Sequence, residues 1–365
     1  MAYTTVDDPS AHFFINHYTG SGSSGLQVRN TANAGDLTPD WLWIKPTSLA
    51  DNHVAFDSNR GFDKQLKVHE TDAEDTHDPA RITRETNGFD VDTTDQNYNQ
   101  SSAKYVAWQW VANNASVTNF AESGANPGGS RQTNDTAGFS IINYTGTGSN
   151  GTIAHGMSAK PNMVVVKKRG GGGYSWYSHW TGLLPSGDNY IMYWNNTDNE
   201  QNNATAFNGT KPDNTNITVG TNGGTNGDGD EYIMYAFRNI KGYQKIGRYK
   251  GGDQSSGVNA TNGPFVYTGF TPARVIIMNT ESGSRDKTIW DSTRHPDNPK
   301  NIQLYLNLNN AHDSASTSSI IDFYSNGFKI RGNNQKINGG ADAMIYWAIA
   351  EHPFVTSGGV PAPAR

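Results

Sequence analysis

Short apolar runs, separated by clusters of glycine and small polar residues, set the pattern of this chain. Runs such as MVVV and VIIM are rich in β-branched side chains and last only four residues. Segments such as RGGGGY and TNGGTNGDGD lie between them and supply turns, because glycine and asparagine tolerate positive φ angles. No segment of the chain has the spacing of a convincing amphipathic helix. The pattern therefore predicts an all-β protein of short antiparallel strands.

The same order of strand signals occurs three times. A tyrosine turn motif reads YTGSGS at Tyr18 and YTGTGS at Tyr144, with a weaker form, IGRYKGG, from Ile246. Each copy continues with an apolar run (PDWLWIKP, PNMVVVKK, PARVIIMN) and closes on an aromatic strand (YVAWQW, YIMYAF, MIYWAI). A unit of about 105–125 residues is thus repeated, which predicts three tandem antiparallel β-sandwiches of a jelly-roll-like kind.

The repeat also predicts the domain boundaries. Residues 113–137 are polar, contain glycine and proline, and are typical of a linker, whereas the second join is short. We therefore expect units two and three to pack tightly, with unit one set apart. The expected division is an N-terminal segment with the first sandwich (1–112), the linker (113–137), the second sandwich (138–242), the third sandwich (243–354) and an extended C-terminal tail (355–365).

Composition narrows the classes of function. The net charge is −6 and no run of Lys or Arg occurs, so no nucleic-acid partner is expected. The chain has no cysteine, which excludes thiolate zinc sites and disulfides. The apolar runs are too short for a transmembrane helix, so no membrane insertion is expected. The beginning of the chain lacks the basic and apolar regions of a signal peptide, and we expect assembly in a cytoplasm.

Two repeated carboxylates are the first candidates for catalytic residues. Asp57 and Asp291 stand at equivalent places in FDSNR and WDSTR, and Tyr177 takes that place in the second unit. A pair of carboxylates at a set separation can cleave a glycosidic bond. A residue repeated between units more often supports the fold, here by capping a turn. No catalytic residue is predicted, and the protein is expected not to be an enzyme.

An acidic turn is the candidate metal site. The segment TNGDGDEY places Asp228 and Asp230 in a glycine-rich loop that is similar to a calcium loop. The glutamate that closes an EF-hand loop is missing, and the equivalent segments of the other units lack matching acids. A hairpin turn and a surface calcium site both fit this segment, and no other cofactor is predicted.

An aromatic segment, WYSHW, is the candidate ligand contact. Strand alternation puts Trp176 and Trp180 on one face and His179 on the other. Trp176 aligns with Phe56 and Trp290 and therefore belongs to the core. Trp180 has no aromatic counterpart, so it is the candidate for stacking on a sugar ring, together with the neighbouring His179. The alternative is that Trp180 packs in the core or between units.

Several longer motifs carry a resemblance to a known family. The opening AYTTVDDPSAHF, the repeated YTGxGS, the NGFxI strand and the close AIAEHPFVTSGGVPAPAR resemble a domain of unknown function common in marine bacteriophages, including cyanophages. Members are virion structural proteins or tail fibres, built from repeats of a β-sandwich. The resemblance implies a virion location, with assembly in the host cytoplasm, and offers no motif for a catalytic site.

Three functions follow from the repeat and the resemblance. Repeated copies of a rigid domain lengthen a protein and multiply its binding sites, whereas an enzyme needs a single catalytic site. The leading expectation is a non-enzymatic virion surface protein, a short fibre or tail appendage, that contacts host glycans or receptors through its loops. The alternatives are a head decoration protein that covers capsomers, and a polysaccharide-cleaving tail spike. The expected partners are other virion proteins and further copies of the chain in a homo-oligomer.

Overall fold

A computed structural model describes residues 3–30, 37–252, 263–313 and 316–363. The predicted fold class is confirmed: the described chain is almost entirely antiparallel β-structure with a few short helical turns. It forms three units, each of which pairs a large sheet with a small one. None of the helices in these described ranges has the length and hydropathy to cross a membrane.

Unit 1 contains strands β1–β9. Its large sheet has the order β1-β9-β3-β4-β5-β6 and its small sheet the order β2-β8-β7. A short 3-10 helix, Pro9–Ala11, leads into β1. The strands are β1 (Phe13–Thr19), β2 (Leu26–Arg29), β3 (Trp41–Pro46), β4 (Val54–Asp57), β5 (Gly61–Lys67), β6 (Asp75–Thr76), β7 (Ile82–Glu85), β8 (Gly88–Val91) and β9 (Lys104–Trp110).

Unit 2 contains strands β10–β19. Its large sheet has the order β10-β11-β12-β19-β14-β15-β16-β17, and its small sheet pairs β13 with β18. The elements are β10 (Thr118–Phe120), β11 (Gly128–Asn134), β12 (Phe139–Thr145), β13 (Gly151–Ala154), β14 (Met163–Lys168), β15 (Tyr177–Trp180), β16 (Tyr190–Tyr193), β17 (Gln201–Asn202), α1 (Ala204–Phe207), β18 (Asn216–Val219), α2 (Gly223–Asn226) and β19 (Glu231–Phe237).

Unit 3 contains strands β20–β27. Its large sheet has the order β20-β27-β22-β23-β24 and its small sheet the order β21-β26-β25. The elements are β20 (Gln244–Lys250), β21 (Phe265–Tyr267), β22 (Phe270–Asn279), β23 (Thr288–Asp291), β24 (Leu304–Tyr305), β25 (Ile321–Tyr324), β26 (Gly327–Ile330), α3 (Gln335–Asn338) and β27 (Ala343–Pro353).

The segment predicted as a linker, residues 113–137, differs from that prediction. It contains β10 and β11, and β11 pairs with β12 in full register, with Gly128 opposite Thr145 and Asn134 opposite Phe139. The segment GGSRQTN has no apolar residue, so its composition gave no strand signal. Its backbone is nevertheless held in the sheet, because pairing with β12 satisfies its amides and carbonyls.

All three large sheets pack against one another around a common core, named here the central core. Alternate residues of β3 show how each sheet serves two cores: Trp41 and Trp43 enter the central core, whereas Leu42 and Ile44 enter the core of their own sandwich. Strands β14 and β22 divide their residues in the same way. The expectation that unit 1 stands apart is therefore wrong, since its tryptophans lie at the centre of the molecule.

Three equivalent main-chain hydrogen bonds close the units into a ring. The amide of Glu74 in unit 1 donates to the carbonyl of Arg169 in unit 2 at 2.7 Å. The amide of Glu200 in unit 2 donates to Thr280 in unit 3 at 2.9 Å. In the third join, from unit 3 to unit 1, the amide of His312 donates to the carbonyl of Thr47 at 2.9 Å. The three acceptors directly follow β3, β14 and β22, so the joins are head-to-tail and close with pseudo-threefold symmetry.

The described end of the chain folds back on itself and meets the beginning. An isolated bridge pairs Val355 with Pro361, and the amide of Thr356 donates to the carbonyl of Val360 at 2.9 Å. The amide of Ser357 donates to the Asp7 carboxylate at 2.6 Å. The expected extended tail is therefore a hairpin between residues 355 and 361, and it lies beside the N-terminal segment.

Candidate functional site

A repeated Asp–Arg turn lies at two of the three seams, and in unit 1 it also bonds the neighbouring unit. In unit 1, the Asp57 carboxylate accepts the backbone amide of Arg60 at 2.9 Å and its guanidinium Nε at 2.6 Å. In unit 3, Asp291 accepts the same two groups of Arg294 at 2.8 and 2.6 Å. Both carboxylates are fully buried and paired. This geometry agrees with the structural reading of Asp57 and Asp291, as carboxylates that cap a turn.

At the seam between units 1 and 2, the turn is part of a buried charge network. The Tyr235 hydroxyl of unit 2 donates to Asp57 at 2.7 Å. Glu74 accepts from Arg60 at 2.7 Å and from Arg169 of unit 2 at 2.8 and 2.9 Å. Burial acts to raise the pKa of Glu74, but the bonds and charges of Arg169 and Arg60 outweigh it, and the pKa lies below its usual value. The network therefore holds the two units together with charges that are paired inside the fold.

The predicted ligand contacts, Trp180 and His179, lie inside the molecule. Trp180 is 1% exposed, belongs to the central core and donates its indole N–H to Ser178 Oγ at 2.9 Å. His179 is also 1% exposed and packs against Phe207, with ring centroids 5.3 Å apart. Burial lowers the pKa of His179 to about 4. The prediction of a sugar contact at these two residues is wrong, because neither ring reaches the surface; the alternative, an inter-unit core position, describes Trp180.

The predicted metal ligands, Asp228 and Asp230, sit on the loop that precedes β19. Asp230 pairs with the Lys168 ammonium at 2.7 Å, and Asp228 is exposed. Within the described ranges, no three His, Asp or Glu side chains come together as a metal-binding group. In the acidic loop one carboxylate is thus paired with a lysine, and a surface calcium ion there stays a prediction.

An exposed aromatic patch on unit 3 is the candidate recognition surface. On β21, the side chains of Phe265 and Tyr267 are 46% and 50% exposed. Phe265 packs edge-on against Tyr324 at 6.1 Å, and the hydroxyls of Tyr267 and Tyr3 are 3.0 Å apart. Lys245 lies over the Tyr267 ring, 5.4 Å from its centroid. We call these five residues the aromatic patch; sequence reasoning missed it, although the alternating pattern FVY with a buried Val266 was its signal.

A cavity of about 650 Å³ opens at the seam between units 3 and 1. Its walls come from the start of unit 1, from the repeated turn of unit 3 and from the end of β27. The lining includes three carboxylate residues and no Lys or Arg. The lining residues are Asp7, Asp8, Pro9, Ser10, Phe13, Phe14, Ile15, Ala273, Ser292, Thr293, Ala350, Glu351 and His352.

A buried arginine occupies the central core. Arg274 stands where Trp41 and Met163 stand in the other units and is 0% exposed. None of its three guanidinium nitrogens has a hydrogen-bond partner among the described residues. The guanidinium carbon instead lies over five aromatic rings, nearest Trp347 at 4.3 Å and Trp110 at 4.8 Å. The others are Trp43, Trp108 and Phe13, at 5.4 to 5.7 Å. Cation–π attraction partly offsets the loss of hydration.

Comparison with known protein families identifies the family of this chain. The model of a family described as a domain of unknown function, DUF7483, matches residues 8–353, which span all three units. No curated protein matches this chain.

Proposed function

For this chain, which belongs to the DUF7483 family, we propose a non-enzymatic structural role on the surface of a bacteriophage virion. One observation carries the proposal: the residues that the sequence offered for a reactive site are instead buried inside the fold, where Asp57 also bonds Tyr235 of unit 2. Asp57 and Asp291 are buried and paired, and Trp180 is part of the central core. A rigid body of this kind suits a protein that is displayed and bound rather than one that turns over a substrate.

Closure of the ring within one chain favours the head-decoration alternative over a self-trimerising fibre. In a homotrimer of sandwiches, the common core would form between three chains. Here the tryptophans of all three units already cover one another inside a single chain. This shared core supports a protein that acts as a single copy, as a small fitting placed on a capsid or tail would.

Light scattering of the purified chain at two concentrations tests this choice. We expect the mass of one chain, 39.7 kDa, at both concentrations. A trimer whose mass is independent of concentration would favour the fibre instead. Labelled chain added to particles that lack it should bind to the capsid lattice, and absence of the chain from purified virions would overturn the proposal as a whole.

The aromatic patch is the proposed contact with a host glycan or receptor, in place of Trp180. Aromatic faces stack on sugar rings, and exposed apolar patches mark interaction surfaces. We expect Phe265→Ser with Tyr267→Ser to abolish binding of the chain to host cells or to a glycan array. Val117, which is 49% exposed and lies in unit 2, offers the matched control: Val117→Ser should bind as the unchanged chain does. Equal binding by both variants would remove the patch from the proposal.

A further inference from the structure

The outer strands of the three large sheets are equivalent but are protected differently. Strand β12 is covered by β11. Among the described strands, β20 has β27 as its one neighbour, and it carries Lys245, Arg248 and Lys250 among its seven residues. Charged residues of this kind discourage pairing with another chain. Strand β1 pairs only with β9, and its sequence FFINHYT has no Lys, Arg, Asp or Glu. Among the described residues, β1 is thus an open, uncharged edge of seven residues.

Burial agrees with an uncovered edge at β1. Strands β1 and β12 hold equivalent positions in their sheets. Phe13 lies opposite Trp110 of β9, just as Phe139 lies opposite Phe237 of β19. Four positions of β1 are more exposed than their partners in β12. They are Phe14, Asn16, His17 and Tyr18, equivalent to Ser140, Ile142, Asn143 and Tyr144.

Hydrogen-bond alternation identifies the groups that β1 presents. At its two ends, Val111 donates to His12 and Gly20 donates to Ala103, so the even-numbered residues pair with β9. The amides and carbonyls of Phe13, Ile15, His17 and Thr19 therefore point to the open side. Their equivalents in β12 pair with β11.

The internal repeat shows what a strand at this edge would contact. Besides pairing with β12, β11 bonds the repeated turn of unit 1: Gln132 accepts from Ser58 Oγ at 2.8 Å, and Ser130 Oγ donates to Asn59 at 2.7 Å. The equivalents of Ser58 and Asn59 in unit 3 are Ser292 and Thr293. Their side chains make no hydrogen bond to another described residue, and both line the cavity beside Phe13, Phe14 and Ile15. The cavity therefore lies where β11 lies in the equivalent seam.

Charge indicates the chemistry of the occupant. A strand antiparallel to β1 would bring its C-terminal end to Phe13, where Asp7, Asp8 and Glu351 line the cavity. We propose that the open edge of β1 receives an extended segment of a partner protein as an added antiparallel strand, about seven residues long, with glycine and polar residues opposite β1 and a basic C-terminal end. This proposal does not depend on the virion role, because it concerns only what the edge can bind.

Hydrogen exchange on the full chain tests the proposal with a defined probe. The probe is a peptide with the sequence of β11, residues 128–134, followed by two lysines. We expect the outward amides of β1 (Phe13, Ile15, His17, Thr19) to exchange rapidly in the free chain and about tenfold more slowly at saturating peptide. The control peptide has proline in place of Gln132, which removes a ladder amide, and it should give no protection. A second control ends in two aspartates and should bind more weakly.

Paired variants test the edge itself. His17→Arg with Thr19→Lys reproduces Arg248 and Lys250 of β20 on exposed positions, and it should abolish the protection by the peptide. Ser23→Arg with Ser24→Lys adds the same charges to an exposed loop and should leave protection unchanged.

Three results would overturn the proposal. The outward amides could already exchange as slowly as Phe139, Ile141, Asn143 and Thr145, which would mean that the chain covers its own edge. Protection could arise without peptide and grow with protein concentration, which would identify a second copy as the occupant. The peptide could also slow none of these amides.

Discussion

The hydroxyl of Tyr235 donates a 2.7 Å hydrogen bond to the carboxylate of Asp57, across the seam between units 2 and 1. Asp57 is also the residue that fixes the turn of its own unit through Arg60. The same carboxylate thus stabilises a local turn and a contact between units. Because both residues are fully buried, water does not replace the bond if either partner is lost.

We expect Tyr235→Phe to lower the free energy of unfolding by about 1.5–3 kcal/mol, the range for a hydrogen bond to a charged group. The ring is kept, so packing changes little and the loss reports on the hydroxyl. Urea unfolding at neutral pH measures the effect. Tyr346→Phe is the matched control, since Tyr346 is buried in the equivalent sheet of unit 3 and its hydroxyl bonds no other described residue; its stability should change by less than about 0.5 kcal/mol.

A double-mutant cycle separates the bond from other effects of the substitution. In an Asp57→Asn background, Tyr235→Phe should cost less than it does in the unchanged chain, because the charged acceptor is gone. Equal costs in both backgrounds would show that the hydroxyl does not act through Asp57.

The sequence predicted the strands and the repeat, because β-branched runs and turn clusters are local signals. It did not predict that the three units share one core. A run such as MVVV shows that Met163 and Val164 are both buried, but it does not show which surface covers each face. The sequence was equally silent on what covers Trp180. Its lack of an aromatic counterpart in the other units distinguished it, and its burial is explained by packing in the core that the three units share.

Two features of the candidate sites had weak or misleading signals. Strand β11 has polar and glycine residues throughout, and only its partner β12 makes it a strand. Arg274 was visible as a charge that begins an apolar run, at the position of Trp41 and Met163 in the repeat. Its burial follows from the aromatic rings supplied by units 1 and 3, which are distant in sequence.

Replacing Arg274 with methionine, the residue of the equivalent place in unit 2, should stabilise the protein. The free-energy cost of burying a guanidinium whose three nitrogens lack described partners exceeds the stabilisation from its contact with the rings. Replacing a buried charge with an apolar side chain can stabilise a protein by about 1–4 kcal/mol. Thermal and urea unfolding measure the change. Arg274→Ala should instead destabilise by about 2–5 kcal/mol, because it leaves a cavity in the core. If methionine destabilises as much as alanine, cation–π contact outweighs desolvation at this place.

The shared core predicts that the three units unfold together. Removing unit 3 would expose residues such as Trp110 and Phe237, whose rings pack on Trp347. Calorimetry should give a single transition, with a calorimetric enthalpy close to the van't Hoff enthalpy, as for one cooperative body. A chain ending at residue 242 should fail to give that transition and should aggregate. Two or three separate transitions in the full chain would contradict a common core and restore a picture of independent sandwiches.

Buried neutral histidines predict a loss of stability in mild acid. Burial lowers the pKa of His179 to about 4, below the ordinary histidine value of about 6.5, so between these pH values the unfolded chain binds a proton that the folded chain does not. By linkage, stability falls as pH decreases from 6.5 to 4, and for His179 alone the loss approaches ~3 kcal/mol. His179→Gln should remove about this share of the pH dependence, measured by urea unfolding at pH values from 7.5 down to 4. A slope in His179→Gln equal to that of the unchanged chain would show that the His179 ring becomes protonated without cost in the folded protein.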